Sequence, residues 1–297
     1  MTEMRISIVI PTYNRARTIA RAVTSVRGQK ITDWELIVVD DGSTDDTRTV
    51  LSGLLGNDQR VKIITLPKNR GVNFARNRGV EMTTNGWVSF LDSDDEYVPG
   101  AFEILSEVIS KEGSMADVIG FALMTDAGAR SKPYKGYSSY KDVILKRTGP
   151  GDTHFCVKKQ VFGEGFWFPE WINGMESIFY TDLLKRGKKF FCDDQIVVLV
   201  HEDASDRLSQ SSARKNPRQF IKGLQYYIRE HGEILKKDNV LLSEYYLKLA
   251  KYFFSAKDPR GLWWLVKALT INPGFFKIIL NSRFKTVMLS LPNHLTR

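Results

Sequence analysis

Trp87-Val88-Ser89-Phe90-Leu91-Asp92-Ser93-Asp94-Asp95-Glu96 is an apolar run that stops abruptly in four acids. Its large apolar residues in succession predict a strand buried on both faces, the kind a parallel sheet uses. Carboxylates crowded where such a strand surfaces repel one another unless something positive lies among them. A hard divalent cation would serve, because Mg²⁺ takes oxygen ligands and shares its shell with substrate phosphates. Taken alone, the acids read more readily as a solvated turn leading into the helix that Pro99 and Gly100 introduce.

The preceding chain weighs on that choice. Residues 5 to 10, Arg-Ile-Ser-Ile-Val-Ile, predict a strand closed by Pro11-Thr12-Tyr13-Asn14, and Ile19, Val23 and Val26 give the following stretch to Arg27 a helical spacing. Trp34 to Val39 is a second strand with the exit loop Asp40-Asp41-Gly42-Ser43, and Ser43-Thr44-Asp45-Asp46 caps a helix to about Leu55. A third strand, Val61 to Leu66, leads through Lys68-Asn69-Arg70-Gly71 into a helix from Asn73 to Glu81. Trp87 to Leu91 is then the fourth strand. Strands and helices alternating at this spacing predict a parallel, doubly wound sheet. Such sheets bind ligands outside the carboxyl ends of their strands, so the three polar clusters should share one crevice. That convergence favours a site over a solvated turn. There is no G-x-G-x-x-G after the first strand and no G-x-x-x-x-G-K-[ST], so phosphates would be held by metal and side chains rather than by a glycine-rich loop.

The 297 residues suffice for one large domain, or one with an appendage, and 42% hydrophobic with 26% charged residues describes an ordinary globular chain. Cys156 and Cys192 have no C-x-x-C spacing, so neither a disulfide framework nor a zinc site is indicated, and a reducing compartment is the default. A first strand beginning near Arg5 leaves no room for a signal peptide, and no apolar run approaches the roughly 18 residues of a membrane span. The net charge of +9 is uneven: residues 207–297 hold 17 Lys+Arg against 5 Asp+Glu, whereas residues 1–206 hold 26 against 29. The expected division is a catalytic domain over residues 1–206 and a basic helical region over 207–297. No groove-reading element accompanies the basic charge, so nucleic acid is not an expected partner.

Ile8-Val9-Ile10-Pro11-Thr12-Tyr13-Asn14-Arg15, Val38-Val39-Asp40-Asp41-Gly42-Ser43, Asn69-Arg70-Gly71 with Ala75-Arg76-Asn77, and Phe90-Leu91-Asp92-Ser93-Asp94-Asp95 resemble, in order, the successive signatures of family 2 glycosyltransferases. The resemblance implies a GT-A fold, an α/β architecture with a mainly parallel nucleotide-binding sheet flanked by helices. It also implies a nucleotide-sugar donor, a divalent cation (Mn²⁺ or Mg²⁺) and inversion at the anomeric carbon. Carried over residue by residue, the donor nucleotide falls to Pro11, Thr12, Tyr13, Asp41, Arg76 and Asp92. Tyr13 would stack on the base, Asp41 would accept the base's hydrogen bond, Asp92 would face the ribose and Arg76 would lie near the nucleotide. Asp94 would hold the metal.

Farther on, Ala101 to Lys111 reads as an amphipathic helix, Asp117 to Met124 as a strand, and Gly128 to Tyr140 as a polar loop suited to acceptor recognition or simply to the surface. Phe155 to Lys159 is strand-like, and Phe166-Trp167-Phe168-Pro169-Glu170-Trp171 could be a sugar-stacking wall or a core corner. Asn173-Gly174-Met175-Glu176-Ser177, before a helix ending at Arg186-Gly187, resembles the family's Gly-Glu-Asp element. Met175 replaces the usual Glu, and Glu176 stands for the usual Asp, one methylene longer. The match implies that Glu176 is the catalytic base, and the alternative is an acid favouring the helix macrodipole. His201 follows a strand from Gln195 to Val200; it either completes a metal shell, as in some relatives, or is a satisfied polar strand end. An imidazole there suits Mn²⁺ better than Mg²⁺. Helices are expected over Pro217 to Glu230, Leu242 to Phe254 and Pro259 to Leu269, and Phe275 to Leu291 reads as an interfacial helix or a packed terminal one.

These features predict an inverting, metal-dependent transferase that moves a sugar, from a UDP-sugar by preference, to a hydroxyl of a glycan or lipid-linked acceptor in cell-surface polysaccharide synthesis. The expected location is cytoplasmic, peripheral on an anionic membrane through the C-terminal region. Two rivals stay open. A sugar nucleotidyltransferase would be expected to begin with a Gly-rich loop, which Pro11-Thr12-Tyr13-Asn14 does not provide, and a non-catalytic nucleotide-sugar-binding module is compatible with the Met175-Glu176 departure.

Overall fold

The computed structural model describes residues 5–55, 58–147, 152–201 and 216–275. The chain divides into two compact units, residues 1–140 with 148–204, and residues 141–147 with 205–297.

In the first unit β1 (Ile6–Thr12), α1 (Ile19–Arg27), β2 (Trp34–Asp40), α2 (Thr47–Leu55), β3 (Val61–Thr65), α3 (Val72–Glu81) and β4 (Trp87–Phe90) alternate as the periodicity predicts. Then follow β5 (Glu96–Tyr97), α4 (Ala101–Glu112), β6 (Val118–Thr125), β7 (Gly136–Ser138), α5 (Tyr140–Ile144), whose residues from Lys141 onward belong to the second unit, β8 (His154–Lys158), α6 (Lys159–Gly163), α7 (Ser177–Lys185) and β9 (Phe190–Val200). The strands form one sheet in the order β3-β2-β1-β4-β8-β6-β9-β5, with β7 also on β9. Every residue of β1 and β2 is buried, which is why both are mostly apolar; the polar exceptions inside them, Ser7 and Glu35, answer each other, the Ser7 hydroxyl donating to Glu35 Oε1 at 2.7 Å.

The pairings from β3 through β4 are parallel, but β8 runs antiparallel to both β4 and β6, and β5 and β7 run antiparallel to β9. The sheet is therefore mixed, and only its first half follows the doubly wound pattern. Two sequence expectations need adjustment. The polar stretch from 128 to 140 contains β7, whose three residues are too short to show a period. The last strand starts at Phe190 rather than Gln195, because Asp193 and Asp194 interrupt its apolar run.

Two packing features set the site. Gly79 of α3 lies so near β1 that a Cβ there would stand 2.3 Å from Val9 Cγ1, so the helix rides close on the strand. α3 also buries Asn73, Arg76 and Asn77, three polar residues on one helical face. Away from the strand ends, Ser89, Tyr97 and His154 make a buried polar cluster: Ser89 Oγ lies 2.7 Å from Tyr97 Oη and 2.6 Å from His154 Nε2. Burial depresses the His154 imidazole to about 3 and lifts the neighbouring Cys156 thiol to about 12.

In the second unit, residues 141–147 accompany α8 (Pro217–Leu235), α9 (Asn239–Ser255) and α10 (Arg260–Ile271). Pro217 opens α8 and Asp238 caps α9 by accepting the Leu241 N–H at 2.9 Å. Leu247 and Ala250 of α9 pack on Leu265 and Ala268 of α10. The expected boundary at 206/207, and the stretch from Phe275 to Leu291 beyond its first residue, lie outside the described residues.

Candidate active site

Parallel register aligns the carboxyl ends of the first strands. Thr12 stands opposite Asp40, the Asp41 N–H donates to the Thr12 carbonyl at 2.8 Å, and the Leu91 N–H donates to the Val9 carbonyl at 3.1 Å. The three polar loops thus meet at one edge. β1 runs two residues past the expected Ile10. Pro11 is tolerated there because pairing with β4 ends at Val9, leaving a stretch paired on one side only. Thr12 is buried, and its Oγ1 has no hydrogen-bond partner. Tyr13 is exposed.

Side chains lock the first two loops together. Asn14, in a left-handed conformation (φ 53°), donates its N–H to Ser43 Oγ at 2.9 Å, and its Oδ1 accepts the Thr44 N–H at 2.8 Å. Asp40 is fully buried and takes the Arg48 Nε–H at 2.7 Å. Asp41 is 2% exposed and accepts the N–H of Arg70 at 2.9 Å and of Gly71 at 2.7 Å. Burial is the larger effect on its carboxyl and lifts it above the usual carboxylate value against the pull of those two donors. Gly42 (φ 77°) permits the turn, since a Cβ there would lie 2.7 Å from the Lys68 carbonyl carbon. Asp41 therefore helps hold the 70–71 turn, and a carboxylate's four acceptor sites leave it capacity for a ligand.

Arg76 joins candidates from three separate stretches. Its Nη1 donates to Glu176 Oε1 at 2.8 Å and its Nη2 to Asp92 Oδ1 at 2.9 Å, while the side chain is only 8% exposed. Burial alone would weaken the guanidinium's hold on its proton; the Glu176 and Asp92 carboxylates outweigh it and hold Arg76 charged.

Glu176 reaches Arg76 because α3 clamps the loop before it. Asn73 Nδ2 donates to the carbonyls of Pro169 at 3.0 Å and Ile172 at 2.7 Å, and Asn77 exchanges hydrogen bonds with the Phe168 backbone. Glu176 occupies the N-cap of α7 but makes no side-chain cap, so its carboxylate faces the guanidinium rather than the helix N–H groups. In the aromatic stretch, Phe168 stacks on Phe179 at 4.1 Å inside the core, while Trp167 and Trp171 are exposed.

The acidic cluster has protein cations beside it. Arg15 Nη2 lies 4.0 Å from Asp94 Oδ2, Arg21 donates through Nε to the Asp94 carbonyl at 3.0 Å, and Arg76 holds Asp92. His201 donates its N–H to Asp95 Oδ1 at 3.2 Å, and its Nε2 lies 2.9 Å from Glu96 Oε1. The structure thus brings Asp92, Arg76 and Glu176 into contact and sets His201 on Glu96. Among the described residues no three His, Cys, Asp or Glu side chains are grouped as a metal cage. Asn73, Arg15 and Arg21 carry roles that the sequence analysis did not assign. For Asn73 the available signal was polar residues at i, i+3 and i+4 on a helix, a stripe where an apolar one would be expected.

The sequence profile described as glycosyl transferase family 2 matches residues 7–164, just over half of the chain. The GalNAc(5)-diNAcBac-PP-undecaprenol beta-1,3-glucosyltransferase of Campylobacter jejuni is 29% identical over 293 residues, 93% of each chain. Among solved structures, S. aureus TarS in complex with UDP-GlcNAc superposes with a TM-score of 0.64 at 18% identity, over 90% of this chain and 80% of that one. The mannosyltransferase PcManGT of Pyrobaculum calidifontis, in complex with GDP-Man and Mn²⁺, gives 0.62 at 14% identity over 100% and 86%. At such identities the structural likeness speaks to the fold, which is that of GT-A glycosyltransferases.

Proposed function

The chain belongs to glycosyl transferase family 2, and from that premise we propose that it moves a sugar from a UDP-sugar to a hydroxyl of a lipid-linked or glycan acceptor, with inversion at the anomeric carbon. The observation that carries this reading is the Arg76 bridge between Asp92 and Glu176, placed where the exit loops of β1, β2 and β4 converge. The donor class is supported by the nucleotide-sugar named with TarS, and the acceptor class by the undecaprenyl diphosphate in the name of the Campylobacter relative.

In this mechanism Tyr13 offers its exposed ring to the base. Thr12 Oγ1 is a buried hydroxyl still lacking a partner, and Asp41 keeps free acceptor sites for the same nucleotide. Arg76 orients the Glu176 carboxylate. Glu176 takes the proton of the acceptor hydroxyl as that oxygen bonds to C1 of the sugar; the bond from C1 to the diphosphate breaks, and the nucleoside diphosphate leaves. Glu176 then returns the proton to solvent.

The donor set fits a hard divalent cation, because the cluster offers carboxylate oxygens. Asp94 would hold it, and His201 could join by exchanging Glu96 for the metal. Since the described residues group no three-ligand cage, diphosphate oxygens and water would complete the shell, as Mg²⁺ sites commonly allow. When bound, the cation would neutralise charge on the departing diphosphate as a Lewis acid.

A panel of UDP-, GDP- and dTDP-sugars with soluble and lipid-linked acceptors, with and without Mn²⁺, tests the proposal. Release of nucleoside diphosphate with an inverted glycoside in the product is the expected result. Formation of nucleoside triphosphate and sugar 1-phosphate from the same donors, only when pyrophosphate is added, would point to the nucleotidyltransferase rival, and donor binding without turnover to the binding-module rival.

A further inference from the structure

α10 has two faces, and the outer one is unusual. Gly261, Leu265 and Ala268 are buried on the inner side. Leu262, Trp263 and Val266 are 60%, 52% and 54% exposed. At about 100° per residue these three fall within an arc of about 100° on the opposite side. Single exposed apolar residues are ordinary, but three large ones adjoining on a single face mark an interaction surface. Lys267 borders the arc, with its Nζ 3.9 Å from the centre of the Trp263 indole. Arg260, on the same border, is tied to Asp258 at 2.6 Å, so its charge is already answered within the protein.

The chemistry of this face selects its occupant. Trp beside aliphatic residues suits the boundary between acyl chains and headgroups. The Lys267 ammonium lies over the Trp263 indole, and a lysine stem is long enough to carry that charge from apolar surface to headgroup level. The surrounding chain is basic: residues 216–275 hold 10 Lys+Arg against 5 Asp+Glu, and residues 207–297 hold 17 against 5. Two copies packed face to face through a twofold axis would set like charge against like charge. An anionic surface meets the same charges favourably.

We propose that the outer face of α10, with Leu262, Trp263 and Val266 inserted and Lys267 at the rim, docks the protein on an anionic bilayer. The insertion lies within the interface, since no helix among the described residues is long and apolar enough to cross a membrane. The proposal deepens the reading of a lipid-linked acceptor and gives that acceptor a surface on which to be met.

Flotation of the full chain with phosphatidylcholine vesicles, with and without phosphatidylglycerol, tests it, alongside turnover on a soluble acceptor. The wild type should float with the anionic vesicles and release with salt. A triple variant, Leu262→Gln with Trp263→Gln and Val266→Gln, should bind about tenfold or more weakly, and Lys267→Glu should weaken binding at low salt only. Both should keep wild-type turnover on the soluble acceptor, because no substituted residue belongs to the catalytic unit. A triple variant that floats like the wild type overturns the proposal, as does a wild type that stays at the bottom or floats equally with neutral vesicles. Sedimentation showing a wild-type dimer that the triple variant loses would assign the face to a second copy and also overturns it. Glycosyl transfer is read separately, so loss of this surface and loss of the catalytic reading cannot be confused.

Discussion

Arg76→Met isolates what the guanidinium bridge contributes. Methionine keeps much of the length and removes both donors, so Asp92 and Glu176 lose the charge between them. Breaking a fully buried ion pair costs roughly 3–5 kcal/mol. Here the carboxylate partners are 55% and 34% exposed, and water can take over much of their solvation. About 1 kcal/mol per bond, about 2 kcal/mol in all, is the discounted scale. In a unit of this size that lowers Tm by about 4–8 °C. Turnover should fall further than stability, because Glu176 loses the group that orients it, and a misplacement of about 1 Å costs on the order of 10²-fold. Arg76→Lys separates charge from geometry: one ammonium cannot present the planar fork that serves two carboxylates, so Tm should partly recover while kcat stays low. The assay is nucleotide release, with kcat and KM measured at saturating acceptor beside a thermal melt. If Arg76→Met lowers Tm as expected yet holds kcat within about twofold of wild type, Arg76 is a structural tie and the case for Glu176 as base falls with it.

Glu176→Gln should keep donor affinity while lowering turnover by roughly 10²–10⁴; near-wild-type turnover would place the base elsewhere. Asp94→Ala should abolish the Mn²⁺-dependent part of nucleoside diphosphate binding, measured by calorimetry with and without the metal, and unchanged metal dependence would remove Asp94 from the site. Gly79→Ala should destabilise by about 1–3 kcal/mol, since its Cβ would stand 2.3 Å from Val9 Cγ1; a neutral effect in urea unfolding would refute the close approach of α3 to β1. His154, held to about 3 when folded against an ordinary value of 6.5, makes stability fall with acid. Its contribution is fully present above about pH 6.5 and shrinks by roughly 1.4 kcal/mol per pH unit as the unfolded chain takes up a proton that the folded one refuses. Urea titrations at pH 7 and 5.5 should show that loss, and His154→Gln should remove it.

How far the site was legible depended on whether a residue's role was local. The strand ends could be read because burial on both faces leaves apolar runs such as Ile8 to Ile10 and Leu36 to Val39, each stopping at a polar loop. Parallel pairing then aligns those exits without further information. The Arg76 to Glu176 contact spans 100 residues. It depends on Asn73 and Asn77 seizing carbonyls in the 168–172 loop, which no local period announces. The antiparallel entry of β8 is hidden for the same reason: a buried strand presents the same apolar run whichever way it is paired. His201 was visible as a polar residue at a strand end, but its attachment to Glu96 depends on the pairing of β5 with β9, and β5 is only two residues long.

The acidic run from which the sequence reading began takes on a different electrostatic meaning once the side chains are placed. Mutual repulsion among Asp92, Asp94, Asp95 and Glu96 does not by itself require a metal, because Arg76, Arg15 and Arg21 already stand against Asp92 and Asp94. The demand arises on loading. On the proposed function, a nucleoside diphosphate would bring further negative charge to an edge where Arg15 and Arg76 already face carboxylates and Arg21 the Asp94 carbonyl. Drawing Arg76 toward phosphate would loosen Asp92 and Glu176 at the moment the base must be oriented. In the proposed mechanism a cation held by Asp94 would resolve the conflict, supplying positive charge for the diphosphate and leaving Arg76 on Glu176. Metal dependence should therefore show chiefly in donor affinity and charge balance, and the Arg76 bridge in kcat. Measuring Asp94→Ala and Arg76→Met with the same donor at several Mn²⁺ concentrations separates them: if extra Mn²⁺ rescues Arg76→Met turnover to wild type, the two cations are interchangeable and this division of labour is wrong.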